Sequence, residues 1–272
     1  MMKILTCLLI LFLLYIFCIL PRFTHRRESR SFRHILFAHR GLFSNENGIP
    51  ENSLPAFSRA VSKGYGIELD VQLTKDQQLV VFHDSTLSRM CGLDIHVREK
   101  TYEQLKELTL LHTKEQIPLF SQVLKLVDGQ VPLLIEIKLP CFSTSTCALV
   151  DQAMAGYKGS YCIESFNSLA LFWYRLHRPD VVRGQLSSNL TKPVAEGGYL
   201  LSFLVKNLLT NVLSRPDFIS YCYKDTKNIS FCILRRLLGT MTMVWTIRSQ
   251  KVYERCLNRY DSLIFDSFIP NS

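Results

Sequence analysis

The sequence predicts an α/β fold: an irregular (β/α)8 TIM-type barrel preceded by an N-terminal transmembrane helix. Three observations predict it. Residues 4–20 form an uncharged apolar run. After residue 33, about 240 residues alternate short β-type runs with helix-length amphipathic segments, near the usual size of one such barrel. One connection in that alternation, residues 73–78, is too short to hold a crossover helix, so one strand pair must break the parallel pattern.

The apolar run, ILTCLLILFLLYIFCIL, makes a helix of about 25 Å, at the short end of what crosses a bilayer. It ends in Cys18-Ile19-Leu20-Pro21 rather than in the small residues of a secretory cleavage site, and no lipid-attachment pattern precedes a cysteine. An uncleaved single-pass membrane anchor over residues 1–21 is therefore expected. One Lys precedes the run, and Arg22, Arg26, Arg27, Arg30 and Arg33 follow it. The positive-inside rule then places the domain that follows, residues 34–272, on the cytoplasmic side. The basic stretch 22–33 reads as a juxtamembrane linker, either solvated or resting on anionic headgroups.

Within the domain, 35–38 reads as a strand and 52–63 as a helix capped by Asn52 or Ser53, with Pro55 in its first turn. Strands follow at 67–72 and 79–82, helices at 101–108 and 119–127, and a strongly apolar strand at 131–137. A helix at 144–156, a strand at 160–164 and a helix at 168–176 come next. A strand at 181–185 precedes a largely helical 193–213. The late strands are 217–221, 241–247 and 262–265, with helices at 226–238 and 249–258. A doubly wound open sheet is the alternative, but no G-x-G-x-x-G or P-loop supports nucleotide binding.

Composition narrows the classes further. With 47% hydrophobic and 20% charged residues the chain can bury a full core, which excludes intrinsic disorder. The net charge of +9 is concentrated in part near the N-terminus. No basic stripe interleaved with aromatics marks a nucleic-acid binder. The nine cysteines show no CxxC pair. Cys7 and Cys18 lie in the apolar run, Cys141 and Cys147 flank a Ser/Thr-rich stretch, and the others sit mostly among apolar neighbours. Reduced thiols in a cytosolic domain are expected.

Active sites of such barrels lie at the carboxyl ends of the strands. His39, His83, Lys138 and Ser165-Phe166 fall at the ends of apolar runs. Glu68 and Asp70 are two apart, so in a strand both carboxylates face one side. Glu136 sits inside a run too apolar to be solvated, so it needs a partner: a metal ion or a cationic side chain such as Lys138. Singly, each residue is more often structural than functional. Together, three carboxylates suit a hard cation, Mg²⁺ or Ca²⁺, rather than zinc. Two imidazoles beside them suit metal-assisted hydrolysis of a phosphate ester.

The ordered motifs His39-Arg40-Gly41, Pro50-Glu51-Asn52-Ser53, Glu68-Leu69-Asp70-Val71, Leu79-Val80-Val81-Phe82-His83-Asp84 and Ile135-Glu136-Ile137-Lys138 resemble those of the glycerophosphodiester phosphodiesterases. Ile117-Pro118-Leu119-Phe120, Ser165-Phe166-Asn167, Trp245-Thr246 and Phe265-Asp266 extend the resemblance over about residues 35–270. It implies an irregular α/β barrel that hydrolyses glycerophosphodiesters to an alcohol and glycerol 3-phosphate. It implies His39 and His83 as the acid/base pair and Glu68, Asp70 and Glu136 as ligands of one divalent cation. Arg40 and Lys138 would contact the phosphate, with Glu51 and Asn52 supporting the set from behind. The chain departs from the pattern at Ile247-Arg248, where relatives often carry Asn, and between His83 and Thr101, where little beyond Arg89 and Gly92 is kept. Both regions bear on the alcohol pocket. A lysophospholipase D-like activity at the membrane is the alternative substrate class. A catalytically silent lipid- or phosphate-binding module is the alternative without chemistry, and it predicts a missing acid/base or metal residue, whereas none is missing.

Overall fold

The computed structural model describes residues 1–139, 143–192 and 197–271. Cys141, the first residues of the expected 193–213 helix and Ser272 lie outside the described residues.

One sheet contains β1 (Leu36–His39), β2 (Gly66–Leu73), β3 (Leu79–Val81), β4 (Leu133–Ile137), β5 (Tyr161–Ser165), β6 (Arg183–Ser187), β7 (Phe218–Cys222), β8 (Met241–Ile247) and β9 (Ser262–Phe265). Eight of these strands run parallel in the order β1-β9-β8-β7-β6-β5-β4-β2, and pairing of β1 with β2 closes the barrel. The irregularity expected at 73–78 is β3, antiparallel on β2 with Val71 opposite Val81 and Leu73 opposite Leu79. β1 stops at His39, opposite Glu68, while β2 runs on to Leu73. β3 fills the edge left open above β1. His83 therefore reaches the site from an antiparallel strand entering from above, not from the carboxyl end of a barrel strand.

Helices cover the outside: α1 (Met2–Ile19), α2 (Arg26–Arg30), α3 (Leu54–Ser62), α4 (Ser88–Cys91), α5 (Tyr102–Leu105) and α6 (Phe120–Val127), followed by α7 (Ser145–Met154), α8 (Ser168–His177), α9 (Gly198–Lys206), α10 (Asn211–Ser214), α11 (Ile229–Arg236) and α12 (Gln250–Leu257). Ser53 caps α3 by accepting from the Ala56 amide, with Pro55 in the first turn. This matches the sequence expectation and its reason. The helix expected over 101–108 shortens to α5, and Leu105 turns into a separate apolar cluster with Val80, Phe82 and Met90. The long helix expected over 193–213 divides into α9 and α10, with Leu208 in the left-handed region between them (φ 57°).

The strands alternate with period two. Ala38, Ile67, Leu69, Val71, Ile135 and Ile163 face the helices, whereas Phe37, Leu134, Cys162, Phe218 and Ile264 pack together inside the barrel. Two residues further along the same inner faces stand His39, Glu136, Glu164 and Asp266. The barrel interior is thus apolar at the floor and ionisable at the rim. Burying each floor phenylalanine stabilises the fold by about 2–3 kcal/mol, which offsets part of the cost of the buried charges above it.

Residues 20–34 cross the floor. Phe32 is buried in the inner apolar cluster, and its carbonyl accepts from Ser262 Oγ (2.6 Å). Arg22 is bidentate on Asp217 (2.7 and 2.6 Å), and Arg33 pairs with Asp261 (3.1 Å). Arg26 donates to Leu238 O (2.6 Å), so three of the five flank arginines are engaged by the barrel itself. α1 is an 18-residue helix apolar enough to be a candidate span. Its last turn docks against α10 and Arg215: Ile19 O accepts from Asn211, and Phe17 O and Leu20 O accept from Arg215. The described cysteines are all unpaired thiols.

Candidate active site

His39 ends β1, and Arg40 and Gly41 turn the chain away from the rim. Both have positive φ (57° and 79°). A Cβ on Gly41 would lie 2.9 Å from the backbone carbon of Ala56 in α3, so this turn requires glycine. The turn points the Arg40 amide at Glu68 Oε2 (2.9 Å) and its guanidinium at Glu51 (2.7 Å). Asn52, also at positive φ, donates to Asp70 Oδ2 (2.9 Å), and its amide donates to Arg40 O (2.9 Å).

Glu68, Asp70 and Glu136 each offer a ligand oxygen, and these atoms lie within 4.8 Å of one another. β2 and β4 bring them together because Asp70 stands opposite Glu136 in register. Lys138 reaches into the cluster, 2.7 Å from Glu136 and 3.0 Å from Asp70. The Lys138 ion pair that the sequence offered for Glu136 is present, beside three carboxylates close enough together to share a cation. Burial pushes Glu68 well above the usual carboxylate range, and the charges of Asp70, Glu136 and Glu164 add to it. Burial also raises Glu136, with Lys138 opposing. Burial acts to raise Asp70 too, but Lys138, His83 and Arg40 outweigh it and hold that carboxyl well below its ordinary value. Burial opposes charge on Lys138, yet Asp70 and Glu136 raise its pKa. Crowded carboxylate oxygens, one group of them driven toward neutrality by burial and by its neighbours, fit a hard divalent cation.

The two histidines are held alike. His39 Nδ1 lies 2.8 Å from Asp266 Oδ2, and His83 Nδ1 lies 2.6 Å from Asp84 Oδ1. A carboxylate accepts, so each ring carries its proton on Nδ1 and turns Nε2 away from its partner. Burial lowers the His39 pKa below 6.5 although Asp266 pulls the other way. Asp266 is clamped in turn by Arg248 (2.8 Å) and Ser267 (2.8 Å). Asp84 accepts from Arg89 (2.7 Å), and Arg89 is bidentate on Glu51 (2.8 and 2.7 Å). His83, Asp84, Arg89, Glu51 and Arg40 therefore form one continuous chain of charge-assisted bonds.

The sequence reading gave no role to Asp84, Asp266, Arg89 or Glu164. Asp84 and Asp266 were visible in their motifs, but only tertiary contact shows which histidine each serves. Glu164 lies in register beside Glu136 on β5, and burial, with Glu136 adding to it, pushes its carboxyl up to about 8. Its signal was a carboxylate ending an apolar run, as for Glu136.

Two cavities open at the rim. One, about 330 Å³, is lined by His39, Arg40, Glu68, Glu164, Trp245 and Arg248. The other, about 420 Å³, is lined by His96, Arg98, Lys138, Leu139, Ser165 and Asn167. His83, Glu136 and Phe166 belong to both. All nine residues singled out in the sequence converge on this rim or directly behind it.

Residues 39–187 match the glycerophosphoryl diester phosphodiesterase family. A glycerophosphodiester phosphodiesterase of Caldanaerobacter subterraneus is 38% identical over 246 residues, 85% of this chain and 93% of that protein. A lysophospholipase D of Rattus norvegicus is 37% identical over 122 residues, 43% of this chain and 36% of that protein. The solved glycerophosphodiester phosphodiesterase of Thermotoga maritima superposes with a TM-score of 0.65 at 27% identity, covering 86% of this chain and 94% of that one. Fold, ordered motifs and full-length similarity agree: the chain is a phosphodiesterase belonging to the glycerophosphoryl diester phosphodiesterase family.

Proposed function

We propose that this chain hydrolyses glycerophosphodiesters to an alcohol and glycerol 3-phosphate, with His39 and His83 as the base and acid on either side of Glu68, Asp70 and Glu136. The observation that carries the reading is the pair of Asp-oriented histidines flanking three mutually close carboxylates at one rim. A divalent cation bound by those carboxylates, Mg²⁺ or Ca²⁺, would supply Lewis-acid stabilisation of charge on the phosphoryl oxygens.

The remaining steps belong to side chains. Arg40 and Lys138 place positive charge where the phosphate oxygens gain negative charge in the transition state. His39, kept neutral by burial, accepts at Nε2 the proton of the attacking oxygen, which is water or the neighbouring glycerol hydroxyl; in the second case water then opens the cyclic phosphate to glycerol 3-phosphate. His83 borders both cavities; with the leaving alcohol in the second one, a second ring proton on Nε2 would pass to its oxygen. Glu51 and Asn52 hold Arg40 and Asp70 in position.

The test is release of alcohol and glycerol 3-phosphate from glycerophosphocholine by the full chain, with and without EDTA. His39→Ala and His83→Ala should each lower turnover at least about a hundredfold. Near-normal turnover in either variant removes the acid/base assignment.

A second substrate class is favoured by the similarity to the rat lysophospholipase D and by the apolar helix α1, which would hold the domain at a membrane. Lysophospholipids would then be cleaved by the same groups. Comparing kcat/KM for a lysophospholipid and for its deacylated diester decides between the two classes.

A further inference from the structure

Two apolar surfaces have nothing packed on them among the described residues, and both lie at the rim beside β6 and β7. α9 carries Tyr199, Leu200, Leu201 and Phe203, all exposed (Leu200 by 71%), and no charge before Lys206. Its last turn is fixed at rim height. Ser187, the final residue of β6, donates to Val205 O (2.9 Å), and Lys206 Nζ reaches Thr191 Oγ1 (3.0 Å) in the loop after β6. Ser202 and Val205 face inward and are buried, so α9 lies on the rim by that side and turns Tyr199, Leu200 and Phe203 outward.

α1 leads to the same place. Its C-terminal end is pinned near the floor by Asn211 and Arg215, just before β7. Further back along the helix, the Tyr15 hydroxyl pairs with Ser230 Oγ (2.8 Å) in the first turn of α11, which follows the rim end of β7. The contacts climb from floor to rim, and residues 2–14, wholly exposed, continue beyond them. That free part is about 20 Å long. Ile229, 72% exposed, adjoins it at the start of α11. Lys192, Lys224 and Lys227 are exposed on the same stretch of rim, while the neighbouring Asp225 is engaged by the Asn189 amide (2.9 Å).

The geometry points to this part of the rim as a bilayer-docking face. α9 and the free part of α1 enter the acyl region, and Lys192, Lys224 and Lys227 meet anionic headgroups. The opposite, arginine-bearing floor suits the bilayer less. Arg22, Arg26 and Arg33 are held there by Asp217, Leu238 O and Asp261, and α1 runs away from that face. Docking by the rim turns the mouth of the site toward lipid. That consequence rests on the proposed hydrolysis, but the docking itself does not.

The test uses the full chain on vesicles of phosphatidylcholine and phosphatidylglycerol whose acyl chains are brominated or unmodified. In L200W the added tryptophan should lose at least about half its emission on brominated vesicles, as expected for a side chain within the acyl boundary. In L237W, on the exposed floor end of α11, it should lose none beyond the background from Trp173 and Trp245 in the unsubstituted chain. Quenching of L237W without L200W reverses the face, and quenching of neither leaves α1 alone in the membrane. Either result overturns the proposal. Turnover of a soluble glycerophosphodiester by both variants, measured in parallel, reports folding and separates failure of docking from failure of the proposed activity.

Discussion

Asp266 holds the Nδ1 of His39 at 2.8 Å, and this single contact decides which ring nitrogen is left for the cavity at the rim. The two residues are 227 positions apart in the chain. They meet because β1 and β9, the first and last strands of the chain, are hydrogen-bonded neighbours in the barrel.

An amide at position 266 would offer His39 a donor as readily as an acceptor and would favour the wrong tautomer. Asp266→Asn should lower kcat by about a hundredfold to ten-thousandfold, with a much smaller change in KM. Steady-state kinetics on a soluble diester measure this split. A pure KM effect would mean that Asp266 serves the substrate and not the imidazole.

Metal binding should release a proton. Without a cation Glu68 is held above 4.5 by burial and by its neighbouring carboxylates, and a bound cation favours its ionised form. Affinity for Mg²⁺ or Ca²⁺ should therefore rise with pH from about the ordinary carboxylate range upward. Proton uptake by a weak buffer during titration of the EDTA-treated chain reads this directly. Saturation at about a hundred times Kd should add about 2.7 kcal/mol of stability, seen as a rise in Tm of roughly 5–10 °C.

Glu51 should matter more for stability than for the chemical step. Its carboxylate joins Arg40 and Arg89. Burial opposes its charge, but the two guanidiniums outweigh burial and lower its pKa from 4.5. A carboxylate depressed in the folded state stabilises above its unfolded pKa, and that contribution fades as pH falls through the folded value. Glu51→Gln leaves two guanidiniums short of a counter-charge and should cost about 3 kcal/mol at neutral pH. The cost should shrink in urea melts below about pH 4.

Glu164 should behave oppositely. Its folded pKa of about 8 exceeds its ordinary 4.5, so it favours the folded state below 4.5 and loses that contribution as pH rises toward 8. In EDTA, Glu164→Gln should match the parent near pH 4 and exceed it by on the order of 4 kcal/mol above pH 8. Parallel thermal melts at both pH values test the sign. An equal Tm at both would place Glu164 in a wetter setting than the barrel interior provides.

Much of the fold was legible in the sequence. Short apolar runs at 35–38, 131–137 and 262–265 marked barrel strands, and the short 73–78 connection marked the antiparallel insert. Helix lengths were less legible. The division of 193–213 depends on a left-handed residue, Leu208, whose side chain gives no hint of that conformation. The contraction of 101–108 to α5 depends on where Leu105 finds apolar neighbours, which is a tertiary matter.

The three carboxylates, the two imidazoles and the cationic side chains were legible from residue type and from position along each strand, because alternation dictates which side chains share a face. Their orientation was not. Asp84 and Asp266 serve different histidines, Arg89 ties Asp84 to Glu51, and β3 lowers His83 onto an edge that β1 leaves open. Local sequence sets the chemistry available on each strand. Barrel closure decides which groups come within hydrogen-bond distance, since those contacts join segments whose separation along the chain carries no local signal.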